Sequence, residues 1–414
     1  MQPRGARFPQ VDRLVAAGVF GILCAFTLTI AAKPEWPLYL LEAAVGALFA
    51  LWLLFHEELA LSPRAGFTVI ALCAVTLWGL VQYLAHWTSE RQATLSATLQ
   101  WFAILAMFVM CEHVFARPAT RTSFLNLSVW FGVLLSVLEL AGAARPSGDF
   151  LWLLPTGYPR LYASFQSYNN FAQFQELLIP VAAFRAFTSG ERIWAFATGL
   201  LYASVVTSGS RAGVILTSAE ILAVWVLSRA ALPGFPGRAV PRLAVIVAVA
   251  GVLTFVSWGD LGKRFEQDHP LAERALLNQS SLSMIASRPV VGFGLGSYST
   301  VYPAFARFDV GRVVNYAHND WAEWAVEGGL PFVVLIAAIA VASLRPAVQS
   351  IWGLGLVAVC IHAVIDYPFR RLGVEAWIFV LLAAVHVRQQ RVPNAPLPVP
   401  CDKEMAISTI GELV

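Results

Sequence analysis

The feature that most constrains this chain is the recurrence, from residue 13 to residue 388, of apolar runs close to the ~20 residues needed to cross a bilayer core. Backbone groups in hydrocarbon must be bonded within their own segment or within a closed barrel. These runs are about twice the length of a barrel strand and show no alternation, so helices are expected. Apolar windows separated by charged or Pro/Gly breaks predict helices over 14–32, 36–55, 67–87, 94–112, 122–141, 169–187, 193–208, 212–229, 241–258, 320–343, 350–367 and 372–387. The expected fold is therefore an all-α integral membrane protein of about twelve transmembrane helices, one polytopic domain over 1–391 with a disordered, proline-rich tail over 392–414.

Composition agrees. With 58% hydrophobic residues and 13% charged, the chain has too little polar surface to cover a soluble globule of its size. The first apolar run follows Arg4, Arg7 and Arg13 but lacks a small-residue cleavage site, so it reads as a retained helix. Of 28 basic residues, fifteen fall on one side of the alternating loops and seven on the other, with six in the long 259–319 segment. The richer side is expected to be cytoplasmic. That places both termini in the cytoplasm and makes 259–319 a large outward-facing loop between helices 9 and 10. A second outward stretch, 142–168, is also longer than a simple connection. The apolar residues of 259–319, among them Leu276, Leu277, Met284 and Ile285, predict amphipathic helices lying on the bilayer. Five cysteines show no metal or redox spacing.

Chemistry-bearing residues gather at the outward ends. Arg211 follows Ser208-Gly209-Ser210 at the start of helix 8, and Arg274 and Arg288 lie in the long loop. A guanidinium stays charged and can grip phosphate oxygens in a fork; as surface residues the same arginines would simply snorkel to headgroups. His318 precedes Asn319 and Asp320 where the loop enters helix 10, so either neighbour can cap that helix, and its positive dipole end favours a neutral imidazole able to accept a proton. Capping or interfacial packing is the alternative role for His318. His362 and Asp366 fall one turn apart and can pair. Gly292-Phe293-Gly294-Leu295-Gly296 has no βαβ unit around it, so it reads as a backbone turn and not a nucleotide site. No metal site, cofactor or nucleic-acid partner is expected.

Taken in order, Ser164-Phe165-Gln166 through Asn169-Asn170-Phe171-Ala172, Ser208-Gly209-Ser210-Arg211-Ala212-Gly213, Ala272-Glu273-Arg274 through Arg288-Pro289-Val290-Val291-Gly292, His318-Asn319-Asp320-Trp321, Glu327-Gly328-Gly329 and Asp366-Tyr367-Pro368-Phe369 resemble the O-antigen ligase and O-antigen or exopolysaccharide polymerase superfamily. Asp320-Trp321 stands where many members have an aromatic or aliphatic residue first. The resemblance implies a bacterial inner-membrane glycosyltransferase with a periplasmic active site, using an undecaprenyl-pyrophosphate-linked glycan donor and a glycan or lipid A-core acceptor, metal-independent and inverting. It implies His318 as the catalytic residue and Arg211, Arg274 and Arg288 as pyrophosphate ligands, with Arg160, Asn170, Asn319, Glu327 and Asp366 in support. Ligation, polymerisation and transfer to a protein hydroxyl share this donor chemistry. A transporter or flippase of lipid-linked saccharides is the competing class, and it would call for repeated halves, broken helices and coupling acids near the midplane.

Overall fold

The computed structural model describes residues 9–29, 36–55, 63–150, 154–189, 191–231, 239–255, 272–308, 311 and 313–387. The 392–414 tail and the 256–271 part of the long loop lie outside the described residues. Every apolar run read from the sequence contains a helix: α1 (Pro9–Thr29), α2 (Trp36–Phe55), α3 (Pro63–Leu84), α4 (Arg91–Val114), α5 (Pro118–Ala144), α6 (Tyr168–Thr188), α7 (Ile193–Ser208), α8 (Arg211–Ala231), α9 (Ala239–Phe255), α12 (Asp320–Ser350), α13 (Leu354–His362) and α14 (Leu372–Val387). Within the long loop the chain forms α10 (Ala272–Ser287) and the single turn α11 (Tyr298–Val301). Among the described residues, seven helices are long and apolar enough to cross a membrane by length and composition, and shorter apolar helices join them. The only strands described are the two-residue antiparallel pair β1 (Asp149–Phe150) and β2 (Leu154–Pro155) in the 142–168 stretch.

The bundle has an inside and an outside. Helices α6 and α14 are buried along nearly their whole length, and Trp377 of α14 packs against Phe20, Phe131 and Phe174 from α1, α5 and α6. By contrast α2 buries only Val45 and Trp52, and Leu54, Ile70, Val252 and Val341 project outward unburied. Large apolar side chains on the exterior are what a hydrocarbon solvent permits and water does not.

Two predicted helices are corrected. The run over 320–343 is not continuous: α12 breaks at Gly329, whose φ of 73° and ψ of 177° are non-helical, two residues before Pro331. Breaking a helix orphans its last carbonyls, and three of them are answered here by side chains and loop backbone. Phe293 N–H donates to Val326 O (2.9 Å), Gly294 N–H and Gln82 Nε2 donate to Glu327 O (2.9 and 2.8 Å), and Trp78 Nε1 donates to Gly328 O (2.8 Å). In return Leu330 N–H donates to Pro289 O (2.9 Å). The glycine run 292–296, with positive φ at Gly292, Gly294 and Gly296, is thus a backbone turn docked on the broken helix. A side chain at Gly329 would collide with the Val290 carbonyl.

The run over 350–367 yields only the nine-residue α13, about 14 Å long at 1.5 Å per residue and too short to span a membrane alone. The cause lies beyond its end. Pro368 lacks an N–H and biases Tyr367 away from helical geometry. The Asp366 carboxylate accepts the Tyr367 N–H (3.0 Å), and Asp320 Oδ2 accepts that of Phe369 (3.0 Å). These side chains take the donors that a longer helix would have used, and residues 368–370 form a 3-10 turn.

Candidate active site

The site forms where the N-termini of four helices approach the carbonyl end of α13. Asn169 lies in the first turn of α6, Ser210 immediately precedes α8, Arg274 is in the first turn of α10, and His318 and Asn319 lead into α12. Asp366, just past α13, joins them. It is buried, and its oxygens meet His318 Nδ1 at 3.2 Å, the Asn169 Nδ2 amide and Arg274 Nη2 at 3.6 Å. Asn169 Oδ1 in turn accepts from Ser210 Oγ at 2.8 Å, and the same Oγ accepts the Gly213 N–H at 3.1 Å, capping α8. Asn319 caps α12 by accepting the Ala322 N–H (3.1 Å) and donates to Asn278 of α10 (3.3 Å). The Asp320 N–H donates to Ala363 O at 2.9 Å, which ties the start of α12 to the end of α13. Side chains separated by up to two hundred residues are therefore fixed to one carboxylate.

Electrostatics follow from that geometry. Burial pushes the Asp366 carboxyl up, but the hydrogen bond and charge of His318, with His362 and Arg274 nearby, outweigh it and hold the group below the usual carboxylate range. In a neutral His318, an ionised carboxylate facing Nδ1 selects the tautomer with the proton on Nδ1 and the lone pair on Nε2. His318 is held at φ 53° in the left-handed region, with a third of its side chain exposed, so the ring is oriented yet reachable. The positive ends of α6 and α8, with no acid in their first turns, favour an anion at this spot, whereas Glu273 answers that of α10 and Asp320 with Glu323 that of α12.

Behind this layer stands a second charged group. Arg370, in the 3-10 turn, reaches Glu327 at 2.6 Å, Glu323 at 3.1 Å and Asp320 at 3.5 Å, three acids on one face of α12. Burial alone would lower its pKa, but those carboxylates raise it above the ordinary arginine value, so it stays charged. Glu327 also accepts the Tyr298 N–H at 3.1 Å. Its contacts fasten the outer loop to α12.

The predicted site residues separate accordingly. Arg274, His318, Asn319 and Asp366 converge, and Arg211 follows directly on Ser210 of the same network. Arg288 does not join them. It sits at the opposite end of α10, fourteen residues and roughly 21 Å along the axis from Arg274, exposed and stacked 4.7 Å from the Phe293 ring centre. Asn170 bonds Gln173 at 2.9 Å while its neighbour Asn169 contacts Asp366. Arg160 pairs with Glu139 at 3.0 Å and stacks on Tyr162. The expected side-chain pair of His362 with Asp366 is replaced: His362 Nδ1 meets Glu176 Oε1 at 2.8 Å, joining α13 to α6 inside the bundle. Sequence reasoning missed Asn169, Ser210 and Arg370. Ser210 stood in a motif already singled out, and Asn169 differs from Asn170 only in which way the first turn of α6 faces.

No curated protein matches the chain. Residues 195–337 match the O-antigen ligase family, a stretch that contains Arg211, Arg274 and His318 and stops short of Asn169 and Asp366. With its apolar helices and this matched stretch, the chain is a multi-pass membrane protein that carries an O-antigen ligase domain over residues 195–337.

Proposed function

We propose that the protein transfers a glycan from a polyprenyl pyrophosphate carrier to an acceptor hydroxyl, in ligation or polymerisation of a surface polysaccharide on the periplasmic side of the inner membrane, with both termini in the cytoplasm. The observation that carries this reading is the meeting of His318, Asp366 and Arg274 with four helix N-termini. Arg211 and Arg274 grip the pyrophosphate, and the ends of α6 and α8 add fixed positive dipoles. His318 Nε2 takes the acceptor's O–H proton while that oxygen forms a bond to the anomeric carbon from the face opposite the leaving group. The carbon–oxygen bond to the pyrophosphate breaks, its electron pair departs with the phosphate, and the configuration inverts. Asp366 positions the imidazole and stabilises the imidazolium. Pyrophosphate is already a good leaving group, so positioning and charge stabilisation dominate over acid catalysis. The arginines supply the positive charge that a divalent cation supplies in other phosphate sites, and the mechanism is metal-independent.

The break in α12 and the half-length α13 are devices that a transporter of lipid-linked saccharides also uses, so the test must separate joining from translocation. Purified protein in proteoliposomes receives lipid-linked glycan and acceptor, and product is read by gel mobility and mass spectrometry. His318→Ala is expected to retain donor binding and lose ~10²–10⁴-fold in transfer, the usual worth of a general base. Unchanged transfer would reject the base assignment, and lipid translocation without joining would favour the transporter.

A further inference from the structure

Two tyrosines beside His318 have no part in the chemistry above. Tyr316 and Tyr367 stack with ring centres 4.4 Å apart and planes 16° from parallel. The His318 ring meets Tyr367 edge-on at 4.8 Å. Tyr367 is buried, whereas Tyr316 is partly exposed on the irregular stretch 313–317 that leads to His318. The Arg371 guanidinium lies 5.1 Å from the Tyr316 centre and 5.8 Å from that of Tyr367. With the rings 4.4 Å apart, those two distances put the cation alongside the stack. A cation on the far face of Tyr316 would be well beyond 5.8 Å from Tyr367, so Arg371 leaves that face uncovered. Arg371 also donates to Gln166 Oε1 at 3.2 Å, which brings the 142–168 stretch to the edge of the pair.

This arrangement has the chemistry of a saccharide platform. An aromatic face is electron-rich, and the face of a pyranose that carries several C–H bonds presents weakly positive hydrogens to it. The rim of such a sugar carries hydroxyls, which a guanidinium and a carboxamide can bond as donor and acceptor. A few placed polar groups around an apolar surface are the usual composition of a small-molecule subsite. A headgroup phosphate would be gripped by the guanidinium alone and would make no use of the tyrosine face.

We propose that Tyr316, backed by Tyr367 and flanked by Arg371 and Gln166, is the acceptor-sugar subsite, where the terminal pyranose of the acceptor stacks and turns a hydroxyl toward His318. The assignment rests on the glycosyl-transfer reading of the His318 site. It adds which side of that site the acceptor enters.

The test uses the full-length protein in nanodiscs and saturation-transfer NMR with methyl glycosides of glucose, galactose, mannose and rhamnose, alongside transfer kinetics in proteoliposomes. Wild type, Tyr316→Phe and Tyr316→Trp should saturate the ring C–H protons of at least one glycoside, and Tyr316→Ala should lose that signal at least fivefold. In kinetics Tyr316→Ala should raise the acceptor KM tenfold or more with kcat and donor KM within threefold of wild type. His318→Ala should keep the NMR signal, so failure of the base assignment leaves the sugar subsite standing and the two readings are judged separately. A wild-type protein that saturates no glycoside overturns the proposal. So does Tyr316→Ala with wild-type saturation and acceptor KM, or a fall in kcat at unchanged acceptor KM, which would mark the tyrosine pair as support for His318 alone.

Discussion

Replacing Asp366 by Asn asks how much of the chemistry depends on the orientation of one imidazole. Asp366 is an acceptor for His318 Nδ1 (3.2 Å), Asn169 Nδ2 and the Tyr367 N–H (3.0 Å), with Arg274 at 3.6 Å. An asparagine has the same shape but only one acceptor oxygen, and its NH2 must face one of these donors. If it faces Asn169, it also faces the Arg274 guanidinium at 3.6 Å, and no flip of the Asn169 amide relieves that donor-to-cation contact. If it faces His318, the ring must present Nδ1 as acceptor and carry its proton on Nε2, which removes the lone pair that attacks the acceptor proton. The expected loss in kcat is then that of a general base, ~10²–10⁴-fold, or about 2.7–5.5 kcal/mol of activation free energy. Donor KM should move less, since Arg211 and Arg274 remain. Because the folded carboxyl is held below its usual range, its contribution to stability is present above the unfolded value of ~3.9 and is lost only as pH falls through the lower folded value. The carboxylate is ionised at every pH from 5 to 8, so the defect should be present throughout that window. The assay is transfer kinetics with donor and acceptor varied separately. A kcat within threefold of wild type, or an unchanged kcat with a tenfold rise in donor KM, would refute the orienting role and leave Asp366 as a brace for the pyrophosphate.

The two loop arginines should part company. Arg274→Ala, at the Asp366 cluster, is expected to reduce kcat/KM for the donor by 10²-fold or more, while Arg288→Ala, at the far end of α10, should stay within threefold; equal losses in transfer assays would contradict the geometry. Arg370→Met leaves Asp320, Glu323 and Glu327 without their shared cation, and breaking a buried ion pair costs about 3–5 kcal/mol. The variant should unfold at clearly lower temperature than wild type in a detergent thermal-shift assay, and an unchanged midpoint would show that the acids find other partners.

Hydropathy carried the fold a long way. The runs over 36–55, 193–208 and 372–387 coincide with α2, α7 and α14, because a helix in lipid is specified almost wholly by an unbroken apolar stretch. The same measure failed at 320–343 and 350–367, for a reason it cannot register: it counts side-chain polarity and is blind to which backbone donors a carboxylate captures. The signals were present as residue types, Gly328-Gly329 before Pro331 and Asp366 before Pro368. Reading them needed the partners, Gln82 and Trp78 for the first break and Asp320 for the second. Arg274 and Arg288 show the same limit. An amphipathic helix was expected in the loop, yet only once α10 is seen to run from Ala272 to Ser287 does its length hold the two arginines apart.

The breaks also explain how a bundle immersed in hydrocarbon can present the proposed diphosphate site. An unbroken transmembrane helix satisfies its own backbone and offers a ligand nothing but side chains. Helix ends are the places where oriented N–H dipoles become available. Here α13 stops half-way and the carbonyl just past its end, Ala363 O, takes the Asp320 N–H. That bond draws the start of α12, and His318 with it, to Asp366. The break at Gly329 then lets the rest of α12 continue while the carbonyls it frees hold the 292–296 turn, and through it α10 and Arg274. Each interruption is stabilised by a contact that positions a residue of the site. A substitution that straightened either helix would therefore disperse the site even if every reactive side chain were retained.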